Sequence, residues 1–79
     1  MAAILLAERQ RRRLRAARIA HGLGVADLAQ ALGVSRPYVA MLESGTKRPS
    51  EELLTRWATV VGFQVAIETR VRLTPEKAG

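Results

Sequence analysis

The side chains with the most chemistry to offer are cations placed beside the ends of short helical segments. Arg36 directly follows Ser35, and Lys47 and Arg48 follow Thr46 in a Gly-Thr-Lys-Arg-Pro loop. A guanidinium just behind a helix-capping serine points outward, free to meet the base edges of a nucleic acid, and this reading outweighs a merely solvated charge. Lys47 and Arg48 precede another helix start, an arrangement that holds a phosphate more readily than it leaves idle surface charge. Tyr38 has two readings of equal weight: its ring reaches a phosphate or sugar, or it packs on the preceding helix. Met41 is assigned to the outward face because Val39 and Leu42 already fill the inward positions. No set of residues forms a nucleophile, a base and an oxyanion site, so no catalysis and no cofactor is expected. The single histidine, His21, reads as a residue of a helix end and not as a metal ligand.

Two short amphipathic segments must position these side chains. In VADLAQALGVSRPYVAMLESG, residues 25–45, Leu28 and Leu32 lie one turn apart on the first, Val39 and Leu42 repeat this on the second, and Ala29 permits close approach. Gly33 occupies the turn, where a positive φ is needed. Before this pair, residues 3–21 contain neither proline nor glycine and are rich in Ala, Leu and Arg, which predicts one long first helix ended by Gly22. Ser35 is placed to cap the third helix, with Pro37 tolerated in its first turn. Ser50 is placed to cap a fourth, which carries Glu51 and Glu52 in its first turn and ends at Gly62. Trp57 falls on that helix's apolar stripe and reads as core.

Charge sharpens the picture. The 79-residue chain carries a formal +6. Residues 1–48 hold nine cations against three anions, whereas residues 49–79 hold four of each. A polyanion should therefore meet the first part, leaving the second for folding or a protein partner. Arg9, Arg11, Arg12, Arg13 and Arg15 cannot share one helix face; most read as solvated, with Glu8 paired to Arg12 and one or two reaching a flanking backbone. The absence of cysteine, and of any apolar run long enough to span a bilayer, argues against a disulfide scaffold or a membrane protein. The short apolar start precedes the basic cluster, the wrong order for a secretory signal, so a cytoplasmic, nucleoid-associated protein is expected.

From Phe63 the period changes from helical to alternating. Phe63, Val65, Ile67, Thr69, Val71 and Leu73 fall on one side, predicting a single strand with one buried face and a tail from about Pro75. A lone strand leaves its backbone unpaired, so the same strand of a second copy is the expected partner, making these six residues a dimerisation surface. The expected division is a helical domain over 1–62, the strand over 63–74 and the tail over 75–79.

Residues 14–61 resemble the Xre or phage-repressor (Cro/CI-type) helix-turn-helix family. The match is carried by Leu14-Arg15, Arg18, Gly22, Leu28-Ala29, Leu32-Gly33-Val34-Ser35, Val39, Glu43, Gly45, Pro49-Ser50, Leu54 and Gly62. The resemblance implies a mainly α, lambda-repressor-like bundle of four helices, here followed by a C-terminal β-strand pairing between subunits, as in HipB-type antitoxins. It implies base reading at Arg36, Pro37, Tyr38 and Met41. Of these only Arg36 offers a fork for O6 and N7 of guanine, while Pro37 and Met41 suit thymine methyls. It also implies a structural ion pair between Arg18 and Glu43, and Arg18 is the arginine beside the apolar side of helix one. The family's usual polar cap and Gln at the second helix are replaced by Gly24 and Val25, so no phosphate contact is assigned there. The expected DNA-contacting set is Ser35, Arg36, Pro37, Tyr38, Met41, Thr46, Lys47 and Arg48. The function implied is a homodimeric repressor on double-stranded DNA, with no ligand-binding or catalytic domain attached and, in one version, an autoregulating antitoxin with a toxin partner. The rivals are an adaptor whose main partner is a protein, and a non-specific architectural DNA binder.

Overall fold

The computed structural model describes residues 3–68 and 70–76. Four helices, α1 (Glu8–Ala20), α2 (Val25–Leu32), α3 (Arg36–Ser44) and α4 (Glu51–Val60), are followed by β1 (Phe63–Ile67) and β2 (Val71–Pro75). Each helix contributes its apolar stripe to one core: Leu14 from α1, Leu28, Ala29 and Leu32 from α2, Val39 and Leu42 from α3, and Leu53, Leu54, Trp57 and Ala58 from α4. Trp57 is fully enclosed at the centre. Burial of aromatic and branched side chains at this density is what lets so short a chain fold, because apolar area removed from water is its main stabilising term.

The helix ends obey local chemistry. Ser35 Oγ accepts from the Tyr38 amide at 3.2 Å and Ser50 Oγ from the Leu53 amide at 3.1 Å, capping α3 and α4. The turn between α2 and α3 needs Gly33 at φ +70°, a left-handed conformation that strains any residue with a Cβ. No helix among the described residues is long and apolar enough to cross a membrane.

Two expectations are corrected. The long first helix begins only at Glu8; residues 3–7 are an extended strap. Ala3 forms a β-bridge with Ser50, and the Ile4 amide donates to the Pro49 carbonyl at 2.7 Å. Leu6 is buried in the core while Leu5 stands exposed, the alternation of extended backbone. Tertiary burial of Leu6 and the bond to Pro49 outweigh the helix preference of Ala and Leu.

The second correction concerns the C-terminal strand. Residues 63–75 form a hairpin within the chain, with Phe63 opposite Pro75, Val65 opposite Leu73 and Ile67 opposite Val71. The strand therefore has a partner of its own, and Pro75 belongs to it instead of opening the tail. Three residues, 68–70, connect the strands, so the chain returns with its parity unchanged and odd-numbered residues stay on one face. Alternation alone cannot distinguish this from a single long strand. Phe63 and Leu73 join the core, and Val65, Ile67 and Val71 pack against it half-buried. Thr69, assigned to the same face, lies outside the described residues, as do residues 77–79.

Candidate nucleic-acid interface

The outward side of α3 is a narrow stripe of Arg36, Pro37, Ala40 and Ser44, all exposed, with Met41 half-exposed beside them. Val39 and Leu42 fix this orientation by filling the core from the opposite side. Tyr38 departs from the stripe: it is half-buried against the core and lines a hollow with Leu32, Val34, Leu53 and Arg56. Its ring therefore packs between α3 and the start of α4. Ser35 is exposed at the head of the stripe, its hydroxyl engaged in the cap.

The loop after α3 folds back on the helix it leaves. The Lys47 amide donates to the Met41 carbonyl at 3.1 Å, and the hydroxyls of Ser44 and Thr46 lie 2.9 Å apart. Thr46, Lys47 and Arg48 are all exposed, so two cations project just beyond the C-terminal end of the stripe. The strap at residues 3–7 braces this loop through Pro49.

The same C-terminal end of α3 is tied to α1 by an ion pair. Arg18 Nε lies 2.7 Å from Glu43 Oε2 and its Nη2 lies 3.1 Å from Oε1, a bidentate pairing, and Nη1 donates to the Leu23 carbonyl at 2.9 Å. Arg18 is 7% exposed, the buried charged residue of this core. The hydrogen bonds with Glu43 outweigh the effect of burial and hold the Arg18 guanidinium above its ordinary range, so it stays charged. One side chain thus fastens α1 to the last turn of α3 and to the α1–α2 connection. Arg11 adds a second tie, donating from Nη1 to the Glu43 carbonyl at 3.2 Å and lying against Gly45.

Several cations of α1 also reach this side. Arg11, Arg12 and Arg15 line one groove with Ala40 and Ser44 of the α3 stripe. Arg12 also pairs with Glu8 at 2.9 Å, both side chains well exposed, and Arg15 Nε stands 3.9 Å from Glu43 Oε1. Arg9 and Arg13 take the opposite flank, where they line a groove with Arg70 and Arg72 of the hairpin. Arg13 also lies 5.1 Å from the centre of the Phe63 ring, a cation–π contact.

Ala40 and Ser44 were not expected on this surface, and Arg11 and Arg15 were expected only within a mostly solvated set with one or two members reaching a flanking backbone. The signal was available. Ala40 and Ser44 follow Arg36 at four-residue steps, and Arg11 and Arg15 precede Arg18 by seven and three, the spacings that share a helix face.

An exposed stripe of this width, flanked by cations and anchored by a buried ion pair, has the form of a helix that enters a major groove while neighbouring cations meet phosphates. The profile of the helix-turn-helix family matches residues 14–66, which covers all of α2, α3 and α4. No curated protein and no solved structure matches the chain.

Proposed function

This chain belongs to the Xre/Cro/CI-type helix-turn-helix family of DNA-binding transcription regulators, and we propose that within it the protein is a sequence-specific repressor acting as a homodimer on a palindromic operator. The observation that carries this reading is the α3 stripe. Arg36 heads it in the open, with a fork suited to guanine, and Lys47 and Arg48 stand off its far end as phosphate contacts. Two such units related by a two-fold axis read half-sites about 34–36 Å apart. A repressor of this kind works by occluding a promoter, and an antitoxin controlling its own operon is one form of it.

Competition binding at physiological salt tests the reading, with the DNA upstream of the gene set against random duplex. The expected result is a large preference for the former. Arg36→Ala should cost about 1–3 kcal/mol and relax preference at one base pair per half-site, whereas Lys47→Ala should weaken all sequences alike and flatten the salt dependence by about one unit of slope. Equal losses on specific and random DNA for both variants would remove Arg36 from base reading. Strong binding without preference would make the protein an architectural binder, and weak binding to either DNA would make it an adaptor.

A further inference from the structure

Between α1 and the outer edge of β2 runs a groove of about 390 Å³ that takes no part in the α3 surface. Arg9 and Arg13, one helical turn apart, stand on one wall, and Arg70 and Arg72, beside and within β2, stand on the other. Against these four guanidiniums the lining sets one carboxylate, Glu68. The ion pairs among the described residues are Arg12–Glu8, Arg15–Glu43 and Arg18–Glu43, so none of the four cations in the groove is neutralised there. The backbone on the β2 side also suits an anion. The Gly62 carbonyl accepts from the Glu76 amide at 2.9 Å and the Arg70 carbonyl from the Glu68 amide at 3.2 Å, so even-numbered residues make the ladder bonds and Val71 and Leu73 turn their backbone groups toward α1. The two carbonyls on that edge, which would repel an anion, are occupied: Gln10 Nε2 donates to Val71 at 3.2 Å and Arg13 Nη1 to Leu73 at 3.4 Å. Arg13 is held further by Gln10 Oε1 at 3.4 Å and by the Phe63 ring, 5.1 Å from its centre. One fork of the groove is therefore set before any ligand arrives.

We propose that this groove binds a small ligand carrying a diphosphate group, with Arg9, Arg13, Arg70 and Arg72 around its oxygens. Four like charges along one groove repel one another, and an anion that concentrates several charges in a small volume relieves all of these repulsions together. Guanidinium forks take phosphate oxygens two at a time, which lysines do not. Size excludes the larger polyanion: the volume is that of a small-molecule site, and a duplex, whose phosphates lie on a convex cylinder, cannot enter it. Shape disfavours an acidic peptide, which strings its carboxylates along a chain, whereas these cations converge from two walls on one space. The groove lies on the other flank of α1 from the one that Arg11, Arg12 and Arg15 share with α3. A ligand seated here therefore fastens α1 to the hairpin and leaves Arg36 open to DNA.

Isothermal titration calorimetry of the full chain at fixed ionic strength, with pyrophosphate as the probe, tests the site. One pyrophosphate should bind per chain, and orthophosphate, too short to reach both walls, should bind about tenfold more weakly. Arg70→Gln combined with Arg72→Gln changes two exposed side chains and should weaken pyrophosphate by about ten- to a hundredfold, with the free chain melting no earlier than before. Arg9→Gln, on the opposite wall, should repeat the loss in smaller measure, and Arg36→Ala should leave binding unchanged. A nucleoside diphosphate that matches or exceeds pyrophosphate assigns the group to a nucleotide, and one that binds far more weakly assigns it to the inorganic anion; both results support a diphosphate site. The proposal is overturned by the absence of saturable binding, by equal affinity for pyrophosphate and orthophosphate, by full affinity in the Arg70/Arg72 variant, or by loss through Arg36→Ala. A poly-glutamate peptide that displaces pyrophosphate at lower concentration also overturns it, and makes the groove the seat of an acidic protein segment.

Discussion

The two ends of α3 are held by different physics. Its N-terminal end is secured by short-range chemistry: one serine hydroxyl on one amide, a glycine turn behind it and the Tyr38 ring packed toward α4. Its C-terminal end is secured at a distance by the bidentate Arg18–Glu43 pair and by Arg11 on the Glu43 carbonyl. The exposed end that carries Arg36 is therefore fixed locally and aligned from the opposite end as well. A lever fixed at its far end keeps direction while its tip remains open to a ligand, the preorganisation a reading helix needs.

Breaking the far end should have the greatest effect. Glu43→Ala strands the Arg18 charge in the core and should lower stability by about 3–5 kcal/mol, whereas Arg18→Met with Glu43→Leu should restore much of it; urea unfolding followed by circular dichroism measures both. Recovery of stability without recovery of DNA preference would show that the pair sets direction as well as stability. The next effect separates the two glycine turns. Gly33 and Gly45 have φ of +70° and +85°, so alanine at either should cost about 1–2 kcal/mol in backbone strain. At Gly33 an added Cβ meets nothing within 4 Å, whereas at Gly45 it would lie 2.6 Å from Arg11 Cζ. Any excess loss at Gly45 in thermal melts therefore measures the Arg11 tie. Smallest is the near end: Ser35→Ala should remove about 1 kcal/mol, leaving the Arg18–Glu43 geometry intact.

What could be read from the sequence follows the same division. Features set by immediate neighbours were visible: the serine caps at 35 and 50, the glycine stops, the apolar repeats of α2 and α3, and the outward placement of Arg36, Lys47 and Arg48. Features set by remote contact were not. Residues 3–7 read as helix because Ala and Leu favour it, and only the distant Pro49 carbonyl and the pocket for Leu6 make them extended. The hairpin was hidden because its three-residue connection preserves parity and Glu68-Thr69-Arg70 contains neither glycine nor proline to mark a turn. Tyr38 had two balanced readings because the hollow that accepts its ring is built partly from α4. The division of the α1 arginines between two flanks needed the positions of α3 and the hairpin, although their helical spacing already ruled out a common face.

The strap gives this small domain a late step in its folding. Ala3 precedes α1 and Ser50 caps the start of α4, and closing so long a loop gains nothing until α1, α2 and α3 have assembled and brought Ser50 into place. The strap residues are thus among the last to find their contacts. Until they do, the segment bearing Lys47 and Arg48 lacks its brace at Pro49.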